Sequence, residues 1–172
     1  MHSVRSRIFT LLAISWMAVI FIFSSQDADE SSAQSNAVGM LLGRLVVSDF
    51  DELPKKEREK FADTWDYPIR KAAHMTEYVL LGLLVVEAMT DRFYTLEKEK
   101  NINKYRLYVA IAFGIAVMYA ISDEIHQYFV PGRACMAMDV GIDSVGALIG
   151  VGIGLVHLQI KDAQRNISAA IK

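Results

Sequence analysis

One cysteine, Cys135, is all the thiol that this 172-residue chain carries. An internal disulfide and a multi-cysteine metal site are thereby excluded, and Cys135 reads as a small apolar filler. The chain also lacks an excess of charge of either sign. Its 18 Lys and Arg stand against 20 Asp and Glu, a net of −2, so there is no basic footprint for nucleic acid and no such partner is expected. Internal repeats, low-complexity tracts and the His-Glu-x-x-His pattern of zinc proteases are absent.

Apolar length is what the chain has in quantity. Hydrophobic residues make up 53% of it, too many for an average soluble domain. They gather in four runs, at 7–23, 71–89, 105–122 and 138–160. A hydrocarbon core about 30 Å thick needs about 20 helical residues, or about 17 at the lower limit. Lipid offers no hydrogen bonds to the backbone, so these spans must be helices. The first run could be read as a cleaved signal, but its apolar core is long and no small-x-small site ends it. The expected fold is all-α: one domain over 1–172, an integral membrane bundle of four transmembrane helices. An extra amphipathic helical segment lies between the first two.

Short cytoplasmic loops favour Lys and Arg. Arg5 and Arg7 precede the first span, Arg92, Lys98, Lys100 and Lys104 follow the second, and Lys161, Arg165 and Lys172 follow the fourth. The loop between the third and fourth spans has only Arg133. Both termini are therefore expected in the cytoplasm. The connector 24–70 is then extracytoplasmic. It carries Val38, Leu41, Leu42, Leu45 and Val46 at helical spacing, an amphipathic helix for the interface or the bundle's end. Beyond Pro54, a charged helix is expected over 55–65, with Trp65 and Tyr67 at headgroup level.

That orientation sends the polar clusters to the outer ends of the helices: Ser24, Ser25 and Gln26; Arg70, Lys71 and His74; the stretch from Ser122 to Arg133; and Asp139 and Asp143. Arg70, His74, Glu77 and Tyr78 share a helical face that Gly82 continues inward. Asp123, His126 and Gln127 share another. Asp139 and Asp143 lead into Gly146, Gly150 and Gly154, small residues that let helices approach closely and could join two copies of the chain.

Ionisable groups inside a span are expensive, about 2.5–3.5 kcal/mol each at mid-membrane on insertion scales, and so mark function or pairing. Three readings apply. The groups could form an ion-paired plug, or a ligand site at the outer mouth in which Arg70, Lys71 and Arg133 meet phosphate or carboxylate. They could also form a catalytic centre, with His126 and Asp123 or Glu124 as acid and base, and His74 and Glu77 as further candidates. His74, Glu77, His126, Asp139 and Asp143 supply donors for zinc or manganese, but their spacing is unspecific and no cofactor is expected. Ser24, Ser25 or Ser122 beside a histidine is the nucleophilic variant. Val130-Pro-Gly-Arg133 reads as a turn with glycine at positive φ that presents Arg133. His157 reads as packing, and Glu87 and Arg92 as reaching inner headgroups or each other.

Taken together, Phe21-Ile-Phe-Ser-Ser-Gln26, Arg70-Lys-Ala-Ala-His74 with Glu77-Tyr78, Ser122-Asp-Glu-Ile-His-Gln-Tyr-Phe-Val-Pro-Gly-Arg133, and Asp139 with Asp143 resemble the VanZ-like family. Asp143 stands where that family often has asparagine. The resemblance implies a bacterial multi-pass plasma-membrane protein of the cell envelope, related to proteins linked with teicoplanin resistance. The expected ligand is a membrane lipid or a lipid-linked envelope precursor. The alternative is an intramembrane lipid-headgroup hydrolase or transferase.

Overall fold

The computed structural model describes residues 3–98 and 102–170, and all regular structure among them is helical. Six α-helices follow one another: α1 (Val4–Ser24), α2 (Ala28–Val46), α3 (Lys55–Ala88), α4 (Thr90–Lys98), α5 (Ile102–Gln127) and α6 (Ala137–Ala170), with one 3₁₀ turn at Phe50–Glu52. Three helices are long and apolar enough to cross a membrane: α1, α5 and the Ala137–Gln164 part of α6. α3 and α4 make a fourth when counted as one span bent by 58° at the break between them. Leu11, Ile22, Met118, Leu148 and Val156 are exposed along these helices, as lipid-facing side chains must be. The architecture is that of a multi-pass membrane protein.

Local chemistry sets the helix starts. Ser3 caps α1 by accepting from Ser6 N–H, and Asp27 caps α2 by accepting from Glu30 N–H at 2.8 Å, each satisfying one of the free donors of a first turn. The run at 71–89 does not form a helix of its own. α3 begins at Lys55 and continues through Pro68 to Ala88, so the separate charged helix expected over 55–65 is the first third of one rod. A proline inside a helix removes a hydrogen bond and costs about 3 kcal/mol. α2 braces the chain at that point: Gly39 packs on Ala62, Asn36 Nδ2 donates to Asp63 at 3.3 Å, and Ser35 Oγ donates to Asp66.

The apolar residues of α2 behave differently from those of a soluble amphipathic helix. Its buried stripe is Ser31, Ser35, Gly39 and Gly43, whereas Val38, Leu41, Leu45 and Val46 are exposed. Small residues pack on α3 and the large ones face outward, as suits a helix at a lipid interface.

Chain direction alternates through the bundle. Ser3 contacts Asp91 at one end, and Ser25 contacts His126 at the other. Lys71 pairs with Asp139 at that second end, and Glu87 with His157 at the first. α3 and α6 form the tightest seam. A Cβ on Gly150 would stand 1.9 Å from the Val79 carbonyl, one on Gly146 2.3 Å from that of Met75, and one on Gly82 2.4 Å from that of Ala147. The stripe Gly146, Gly150 and Gly154 is thus occupied by α3 of the same chain. α1 is fastened across the bundle by Trp16, whose Nε1 donates to the Glu77 carbonyl at 2.9 Å, and by Tyr119, whose hydroxyl donates to the Met17 carbonyl at 2.5 Å.

Two expectations are corrected at the periphery. Cys135 is exposed in the connector between α5 and α6, not an apolar filler, because that connector lies on the surface. Glu87 is 1% exposed and reaches neither headgroups nor Arg92. It pairs with Arg5 and with His157 Nδ1 (2.5 Å), and Thr90 Oγ1 donates to its backbone carbonyl. His157 is therefore a hydrogen-bond partner of Glu87 rather than mere packing.

Candidate ligand-binding site

At the end of the bundle away from residue 3, the turn after α5 docks on the start of α2. Gly132 takes φ +73°, and a Cβ there would come within 2.8 Å of Ala28 Cβ. Ala28 N–H donates to the Pro131 carbonyl at 3.3 Å. A left-handed residue at a close approach needs glycine on both counts. The turn delivers Arg133, whose Nε donates to the Gln26 carbonyl at 3.2 Å.

Beside it lies a cavity of about 230 Å³. Gln26, Arg70, His74, Glu77 and Arg133 line it, drawn from the end of α1, from α3 and from the turn. Arg70 is held by Asp66 at 2.9 Å, and His74 Nδ1 stands 3.6 Å from Glu77 Oε2, too long for a hydrogen bond. Arg133 is partly buried. Desolvation, and secondly the charge of Arg70, push its guanidinium below its usual value. Two guanidinium groups that repel one another across a small cavity are a site prepared for an anion.

The α2 wall contributes Ser31, Gln34, Ser35 and Val38, of which only Val38 stood out in the sequence, as part of the apolar face. At steps of three and four, Ser31, Gln34, Ser35 and Val38 continue the stripe of Leu41, Leu42 and Leu45 toward the start of α2.

Beneath the cavity is a second, closed layer. Tyr78, Asp123, Glu124 and Asp143 are each 2% exposed or less, and Ser24 is 1% exposed. Gln127 Nε2 donates to Asp123 at 3.0 Å, and the Met136 N–H donates to Glu124 at 3.0 Å. Buried polar groups are normally satisfied, yet both carboxylate oxygens of Asp143, the Tyr78 hydroxyl and Glu77 Oε2 have no hydrogen-bond partner. Guanidinium groups line the cavity, and a buried cluster of carboxyl groups packs behind it.

A family model described as VanZ/LLP1 matches residues 9–158, which includes all these residues. The chain belongs to the VanZ/LLP1 family. No curated protein and no solved structure matches it.

Several residues of this VanZ/LLP1 chain lie apart from the cavity. Lys71 does not line it, being paired with Asp139 and set over the Tyr67 ring at 5.1 Å. His126 turns toward α1, stacked on Phe21 at 4.2 Å between centroids, with Nε2 3.0 Å from Ser25 Oγ. Ser25 also donates to the Phe21 carbonyl at 2.6 Å. A hydroxyl has one proton, so Ser25 cannot donate to the Phe21 carbonyl and to His126 at the same time. His74, Glu77, His126, Asp139 and Asp143 do not assemble as metal ligands: among the described residues, no three His, Cys, Asp or Glu come together to hold an ion.

Proposed function

We propose that this chain binds a phosphate-bearing envelope ligand, a lipid headgroup or the head of a lipid-linked precursor, in an outward-facing site at the mouth of its helix bundle. The observation that carries the reading is the shared cavity of Arg70 and Arg133. The Arg133 Nε is spent on the Gln26 carbonyl, which fixes the plane of the group and leaves its two terminal nitrogens for a ligand. Arginine presents such a fork to phosphate bidentately. The distribution of Lys and Arg among the loops supports a cytoplasmic location for both termini, which turns the cavity outward. A bacterial plasma membrane and a part in resistance to teicoplanin-type compounds follow from family membership as proposals of the same rank.

Charge reversal tests it. Purified Arg133→Glu protein should retain its helicity and elution volume and lose binding to vesicles containing phosphatidic acid. Unchanged binding refutes the proposal.

A second reading, a lipid-headgroup hydrolase or transferase, has one observation in its favour, the contact between Ser25 and His126. Asp123 and Glu124 would then serve beside His126 in acid–base roles. Product formation from radiolabelled phospholipid by wild type, lost in His126→Ala, would establish it. Binding without turnover in both proteins leaves the first reading standing.

A further inference from the structure

The cavity has a direction. Along α3, Arg70 stands at the mouth, His74 one turn further in and Glu77 another turn in, about 10 Å from first to last at 1.5 Å per residue. Arg133 joins Arg70 on the outer side, and Glu77 is the carboxyl group that lines the inner end of the cavity. Guanidinium groups at the mouth and a carboxyl group at the inner end do not match a plain anion, which would find no donor beside Glu77. They match a ligand with an anionic group followed by a cationic one. Glu77 marks where that second group sits. Its carboxylate lines the cavity and its Oε2 is buried with no hydrogen-bond partner, so the site lacks a donor at that atom.

The opposite rim of the cavity is apolar and open. Phe23 and Val38 border it and are 44% and 49% exposed. Leu41 and Leu45 continue the exposed apolar side of α2 beyond Val38. A water-soluble ligand has no use for this rim, whereas acyl chains can leave across it. The volume, about 230 Å³, is below the roughly 300–1,000 Å³ of pockets that enclose drug-sized molecules. A short headgroup fits inside; a sugar–peptide headgroup does not.

We infer that the ligand is an aminophospholipid with a primary ammonium, its phosphate between Arg70 and Arg133, its ammonium on Glu77, and its acyl chains outside past Phe23 and Val38. This rests on the phosphate reading of the same site and narrows it to one headgroup class.

The test uses the full chain in nanodiscs and native mass spectrometry of retained lipid, with phosphatidylethanolamine, phosphatidylglycerol and phosphatidylcholine offered at equal amounts. Phosphatidylethanolamine should be retained about tenfold or more over the other two, the worth of a hydrogen bond to a charged group. Phosphatidylglycerol lacks the cation, and phosphatidylcholine has no N–H to donate. Glu77→Gln should erase the preference while phospholipid is still retained, and Glu77→Asp should keep part of it. Soluble phosphoethanolamine should fail to displace the lipid; displacement at matched concentration would assign the site to a free solute and overturn the lipid part. Equal retention of all three lipids by wild type overturns the inference without any variant, as does an unchanged preference in Glu77→Gln. Either result leaves the phosphate reading intact provided that Arg133→Glu still abolishes retention. If Arg133→Glu retains lipid as wild type does, the phosphate reading itself falls.

Discussion

Arg133 and Gln26 meet through a side-chain nitrogen and a main-chain oxygen, 3.2 Å apart. The contact joins the turn after α5 to the segment between α1 and α2, residues 107 positions apart in the chain. The arginine's plane is therefore set by backbone, and substitution of Gln26 alone leaves the acceptor in place. Gln26→Ala should consequently weaken ligand binding far less than Arg133→Ala, a comparison that vesicle co-sedimentation can make directly.

Gly132 is the hinge of that placement. Gly132→Ala introduces both a Cβ at positive φ, which costs about 1–2 kcal/mol, and an overlap with Ala28. Binding should fall while the bundle stays folded. Ala28→Gly in the same chain removes the overlap but not the φ strain, so it should restore binding only in part. Full recovery would show that crowding alone sets the turn.

Along α6 the glycines divide sharply. Gly150→Ala must displace the Val79 carbonyl, whereas Gly152 has open space around its missing Cβ. Thermal unfolding followed by size-exclusion should show marked destabilisation for the first, in the range of 1–3 kcal/mol typical of overpacking, and none for the second. Equal melting temperatures would contradict the α3–α6 seam.

Glu87 predicts a contrast between two ion pairs. Glu87 is buried while Arg5 and His157 are partly exposed, so Glu87→Ala, which removes their contacts to a charged group, should destabilise by about 1.5–3 kcal/mol. Arg44 and Asp51 are both more than half exposed. Arg44→Ala should change stability by about 0–1 kcal/mol. Denaturant titration of the two variants against wild type decides the ranking.

Cys135 offers a test of orientation in the native chain. It is the only thiol and is exposed next to Arg133. A membrane-impermeant maleimide added to intact cells should label it, and the label should be lost in Cys135→Ser. Labelling only after the cells are broken would reverse the proposed topology.

Much of this molecule was legible in its sequence, for a definable reason. Spans are fixed by the length of apolar runs, and the glycine ladder of α6 by its four-residue period, both of which are local signals. The turn at Gly132 was legible because Pro-Gly has few alternatives. What the sequence concealed depends on partners far along the chain. The burial of Glu87 requires Arg5 and His157, neither of which is near it in sequence. The role of α2 was half visible: its leucines announced an amphipathic helix, but the Ser31, Ser35, Gly39 and Gly43 stripe that packs inward looks, residue by residue, like a water-facing surface. Pro68 lies inside α3, where α2 packs alongside through Ser35 and Asp66.

The unbroken run of α3 has a mechanical consequence. Thirty-four residues span about 51 Å at 1.5 Å per residue, well over the roughly 30 Å of a hydrocarbon layer. The end of this rod along which α2 is clasped is therefore more than a hydrocarbon layer needs, and it lies on the same side as the cavity. Only Pro68 interrupts the hydrogen bonding between that overhang and the wall bearing Arg70 and Glu77, so any macromolecule that grips and tilts the hairpin would deform the cavity wall, like a hand on the shaft of a key.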